Sequence, residues 1–79
     1  MDNLFERITI DKRICSGKPS IRGMRFTVSH MLELIASGMT TQEILHDYPY
    51  IEPDDISACL YYASGVMSNR NMLLIEDIT

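Results

Sequence analysis

The 79-residue chain predicts a small α+β domain, mainly α, with a short N-terminal β-arm followed by three helices. Three observations carry that prediction. The first 28 residues are punctuated by Gly and Pro and contain short β-branched runs. The following 40 residues hold three apolar patterns at helical spacing, each with its own start or stop signal. The charge divides between the same two regions. Residues 1–27 carry Arg7, Lys12, Arg13, Lys18, Arg22 and Arg25 against three acids, net +3, and residues 28–79 carry Arg70 against eight, net −7.

Within the arm, residues 8–28, Ile8-Thr9-Ile10 alternates and is β-branched, which suits a half-buried strand. Ser16-Gly17-Lys18-Pro19-Ser20 is a turn signal, and Gly23 marks a second turn or a bulge. Ile21 and Arg25-Phe26-Thr27-Val28 read as extended.

The helical bundle is expected over residues 28–67. Thr27 or Ser29 caps a first helix with Met31, Leu32, Leu34 and Ile35 on its apolar side. Gly38 ends it, glycine being the residue best suited to the left-handed position after a helix. Thr40-Thr41-Gln42-Glu43 is a capping box that opens a short second helix through Ile44 and Leu45. Tyr48-Pro49 stops it, because proline disfavours helical backbone in the residue before it. Pro53 opens the third helix, with Asp54 and Asp55 against the positive end of its dipole. Ile56, Leu60, Ala63 and Met67 then form one face. Residues 69–79, containing Met72-Leu73-Leu74-Ile75, read as a tail able to form a short strand.

Size and composition bound the function. One domain of this length has a marginal core, so a partner or a second copy adds needed stability. No run approaches the 18 or so apolar residues of a membrane span, and the N-terminus lacks a signal-peptide pattern, so the expected location is cytoplasmic, without membrane association. Cys15 and Cys59 form neither a disulfide framework nor a CxxC pair, and Cys59 reads as a small core residue.

No catalytic site or cofactor is expected. Cys15 with His30 or His46 would supply a nucleophile and base, but no local signature links them. Cys15, His30, His46 and Cys59 lack the close ligand pair of a structural zinc site. Gly17-Lys18 fails as a phosphate loop, since Pro19 stands where Ser or Thr belongs. Tyr48, Tyr50, Tyr61 and Tyr62 suit packing, with Tyr50 and Tyr61 near a protein-contact surface.

Three helices are the minimum for a homeodomain-like or helix-turn-helix bundle. The third helix is a poor groove reader, because Asp54 and Asp55 would face phosphates. The DNA-binding candidates are therefore arm cations: Lys18, Arg22, Arg25 and Arg13. The alternative is that these cations are solvated or pair with acidic helices of the same fold.

From Ile8 to Ala63 the chain resembles the bacterial family called domain of unknown function 433, whose members include VapB-type antitoxins. The most specific segment is Ile14-Cys15-Ser16-Gly17-Lys18-Pro19-Ser20-Ile21-Arg22-Gly23-Met24-Arg25-Phe26-Thr27-Val28, similar to that family's glycine–lysine–proline and arginine–glycine–x–arginine signature. Residues 38–43, Tyr48-Pro49, and Asp54-Asp55-Ile56 leading to Tyr62-Ala63 match its later blocks. The chain departs at Ser16, Ser20 and Met24, and at Glu52, where a Ser or Thr would cap the third helix.

The resemblance implies a winged or homeodomain-like helix-turn-helix fold, no enzyme activity, and pairing with a PIN-like ribonuclease toxin. The expected function is an antitoxin of a type II toxin–antitoxin pair, a dimer that neutralises its toxin and represses its own operon by binding operator DNA. Met72, Leu73, Leu74, Ile75, Glu76 and Asp77 are the expected toxin-binding residues. The alternative is a stand-alone DNA-binding transcriptional regulator without a toxin.

Overall fold

The computed structural model describes residues 4–78, with side chains as far as Ser68. Its order is a 3₁₀ turn at Leu4–Arg7, β1 (Ile8–Thr9), a tight turn at Cys15–Gly17, β2 (Ser20–Ile21), α1 (Val28–Ala36), α2 (Thr41–Asp47) and α3 (Pro53–Ile78). This is a mainly helical α+β fold.

The arm is less extended than its sequence suggests. β1 and β2 pair antiparallel with Ile8 opposite Ile21 and Thr9 opposite Ser20. Ile10 lies outside the strand and is exposed. Phe26-Thr27 contributes only a single bridge, Thr27 to Ser20, and Val28 already belongs to α1. The physical reason is a tight turn after Ile21. Arg22 and Gly23 both take left-handed φ, +44° and +70°, and the Met24 amide donates to the Ile21 carbonyl at 2.8 Å. Two consecutive positive-φ residues define the type I′ geometry that reverses a strand at once. The Gly23 amide also donates to Thr9 Oγ1 at 2.8 Å, tying the turn to β1.

The helix ends follow their sequence signals. Thr27 caps α1 by accepting from the His30 amide, and Gly38 follows it at φ +97°. Thr40 and Glu43 form both halves of the capping box on α2. Pro53 is the first residue of α3.

The core gathers Ile21, Phe26, Val28, Met31, Ile44, Ile51, Ile56 and Cys59, drawn from the arm and all three helices. In α3 the core-facing side is Asp55, Ile56, Ala58 and Cys59, with Tyr62 partly buried. Leu60 and Met67, expected on the buried face, are each 47% exposed. The packing centre lies at Cys59, about 60° round the helix from Ile56 on the expected face. α3 also outruns the expected bundle. It extends to Ile78, so the segment read as a tail with a short strand lies in helix. Mixed propensity explains the difference, since Met and Leu favour helix as readily as any extended state.

Candidate interaction surface on the N-terminal arm

α3 begins with an acidic first turn, and the arm delivers two arginines to it. Asp55 is fully buried. Its Oδ1 accepts from Arg22 Nε at 3.0 Å and from Arg7 Nη1 at 2.9 Å. Its Oδ2 accepts from Arg22 Nη2 at 2.8 Å and from the Glu52 amide at 2.8 Å. Arg22 thus grips the carboxylate bidentately, the strongest geometry open to a guanidinium. It also donates from Nη2 to the Tyr50 carbonyl at 2.8 Å. Arg7 reaches Glu52 Oε1 at 2.7 Å and lies 3.6 Å from Asp54.

The Glu52 amide is an orphan donor at the start of α3, so Asp55 supplies half of a capping box although Glu52 cannot supply the other half. Burial pushes the Asp55 carboxyl up, but its bonds from Arg22, the Glu52 amide and Arg7 outweigh that and hold it below the usual range. Arg22 is pushed upward in turn, chiefly by its bond to Asp55.

The four arm residues assigned to DNA therefore separate. Arg22 is engaged inside the protein, as the alternative reading of the arm anticipated. Arg13 folds back on Asp11 through Nε and Nη2 at 3.2 and 3.0 Å and stays mostly exposed. Lys18 and Arg25 are exposed and make no ion pair among the described residues. Arg22 and Arg13 bind different carboxylates, one on α3 and one on the arm itself. The toxin-binding candidates Met72, Leu73, Leu74, Ile75, Glu76 and Asp77 lie on the distal turns of α3, and their side chains lie outside those described.

Two aromatic groups were only half legible. Phe26 stacks on His30 at 4.6 Å and meets Tyr48 edge-on at 5.0 Å, with Tyr50 at the outer edge. Phe5 and Tyr61 form an exposed pair, centroids 4.9 Å apart. Tyr50 and Tyr61 are each 53% exposed. The role of Asp55 was missed. Its first-turn position read only as a dipole partner, and the signal that could have found it was the surplus of arginine in the arm.

Other chemistry is sparse. Both cysteines are free. Burial, with the nearby Asp55 charge, pushes the Cys59 thiol up to about 12, so it is inert at neutral pH. Among the described residues no three of His, Cys, Asp and Glu are grouped to hold a metal ion, and no helix is long and apolar enough to cross a membrane.

Residues 8–63 match the family model described as "Protein of unknown function (DUF433)". The chain belongs to the DUF433 family. No curated protein and no solved structure matches it. The DUF433 span contains Arg22 and Asp55, both partners of the bidentate clamp, while Arg7 lies just before it. It ends at Ala63, and α3 continues beyond it to Ile78.

Proposed function

We propose that this DUF433 chain is the antitoxin of a type II toxin–antitoxin pair, a VapB-like protein that neutralises a PIN-like ribonuclease by direct binding and represses its own operon. The observation that carries the reading is the division of charge within one domain. Lys18 and Arg25 stand exposed on the arm, whereas residues 28–79 are net −7. In this reading, residues 72–77, apolar and then acidic, contact the toxin. The arm contacts operator DNA through Lys18 and Arg25, with Arg13 at its edge and Arg22 holding the arm in place.

α2, residues 48–52 and α3 then make a helix-turn-helix unit whose second helix stays out of the groove. Its first turn exposes Asp54, whose carboxylate would repel phosphates, while Asp55 is buried against Arg22 and Arg7. The exposure of Lys18 and Arg25 also favours a second reading, a stand-alone DNA-binding regulator.

A tagged pull-down from the native host, nuclease-treated and washed at moderate salt, separates the two by mass spectrometry. A small nuclease retained in stoichiometric amount supports the antitoxin. Recovery of the chain alone, with operator binding measurable in vitro, supports the regulator. Recovery alone with no DNA binding overturns both.

A further inference from the structure

Between the end of the arm, the start of α1 and the middle of α3 lies a groove of about 330 Å³. Pro19 and Leu32 line one wall, and Tyr62, Val66 and Met67 line the other. The arm side is fixed by backbone bonds. The Lys18 amide donates to the Cys15 carbonyl at 3.1 Å, and the Val28 amide donates to the Pro19 carbonyl at 2.9 Å. Ser20 Oγ donates to the Lys18 carbonyl at 2.9 Å. Gly17-Lys18-Pro19, which fails as a phosphate loop, thus forms the rigid rim of an apolar recess. Its size falls at the small end of ligand sites, which begin near 300 Å³.

The lining sets the chemistry of an occupant. It is almost wholly apolar, so the body of the ligand is hydrocarbon or aromatic. At roughly 30 Å³ per non-hydrogen atom, the groove holds about eleven of them, too few for a peptide segment. Lys18 supplies the one charged side chain of the lining, exposed and without an ion pair among the described residues. The head group is therefore an anion, placed at the rim, where the ammonium meets it at the edge of a low-dielectric surface.

We infer that the groove is an effector site for a small amphipathic carboxylate of roughly eight carbons, whose head pairs with Lys18 and withdraws that cation from operator DNA. A carboxylate at the Lys18 ammonium cancels the charge that a phosphate would meet, so acid and operator compete for one side chain. The competition rests on the reading of Lys18 as an operator contact. The binding of the acid does not.

The test is a titration of octanoate into the purified full chain, followed by calorimetry and by amide NMR. Saturable binding is expected with a dissociation constant of about 1 mM or tighter, and with shifts centred on Lys18, Leu32 and Val66. Octylammonium has the same body and the opposite head, and is expected to bind about tenfold more weakly. Lys18→Gln is expected to weaken octanoate about fivefold, and Met67→Glu at least about tenfold with helicity unchanged. Saturating octanoate is expected to weaken operator binding about threefold in the unaltered chain and to leave that of Lys18→Gln unchanged. Absence of saturable binding up to about 20 mM overturns the site. Equal binding of octanoate and octylammonium overturns it too, because the groove would then be merely apolar. Octanoate that binds while operator affinity stays constant overturns the competition. A chain that binds no operator at all defeats the DNA reading, and with it the competition, whereas the site is still judged by octanoate alone.

Discussion

Arg22 and Asp55, 33 residues apart in sequence, meet through two parallel hydrogen bonds of 3.0 and 2.8 Å, the carboxylate fully buried and the guanidinium partly open to solvent. Arg7 completes the clamp, so the two cations nearest β1 and β2 are spent on the first turn of α3.

Removing the charge from Asp55 therefore leaves Arg22 and Arg7 facing each other. Asp55→Asn is expected to destabilise the fold by about 3 kcal/mol, the scale for breaking a buried ion pair from one side. Urea denaturation checks it. A loss below about 1 kcal/mol would mean that the clamp is energetically idle.

Acid should reach the same contact. The Asp55 carboxyl is held below its ordinary value of 3.8, so its contribution is complete above that pH and is lost as pH falls through the lower, folded-state value. Thermal stability is expected to drop as pH falls below about 4, and the drop should be shallower in Asp55→Asn. Parallel curves for the two proteins would assign the acid limb to other groups.

The two thiols should differ sharply in reactivity. Cys15 lies partly exposed in the tight turn at Cys15–Gly17, and Cys59 is fully buried with its thiol pushed up to about 12. One equivalent of a thiol reagent is expected to react quickly at pH 7.5, and the second only on unfolding. Peptide mapping that finds Cys59 labelled first would contradict the packing described.

Helix punctuation offers an independent check. Thr40→Ala removes the acceptor for the Glu43 amide and is expected to cost about 1 kcal/mol. Gly38→Ala places a β-carbon on backbone at φ +97° and is expected to cost about as much, although nothing crowds the site. Equilibrium unfolding midpoints read both.

DNA binding, if operator fragments are retained, should respond differently to the arm cations. Lys18→Ala and Arg25→Ala are each expected to weaken binding and reduce the salt slope by about one, as for a lost phosphate contact. Arg22→Ala is expected to lower thermal stability first. A folded Arg22→Ala protein with normal stability and no DNA affinity would move Arg22 onto the DNA face.

Much of this fold was legible because its signals are local. Thr27, Gly38, the Thr40–Glu43 box and Pro53 each act within one turn of backbone, and each performs the role its chemistry suggests. The arm was harder, since left-handed backbone at Arg22 is unusual for a residue with a β-carbon and is held by tertiary bonds. The clamp was harder still. Nothing near Asp55 in sequence announces that Arg7 and Arg22 arrive from 48 and 33 residues away. The cations of the arm read as one basic patch, and only packing distinguishes Arg22 from Lys18 and Arg25.

The clamp also joins two ends of a long loop. α1 and α2 close over neighbouring residues, whereas joining Arg22 to Asp55 requires a 33-residue loop to shut, an entropic toll that grows with loop length. The arm is accordingly expected to dock after the helices it covers and to open before them. Hydrogen exchange finding arm amides protected as long as those of α3 would contradict this. When it lets go, Ile21 and Phe26 leave the core together, and a helical remnant with an open flank is what a protease or chaperone would meet first.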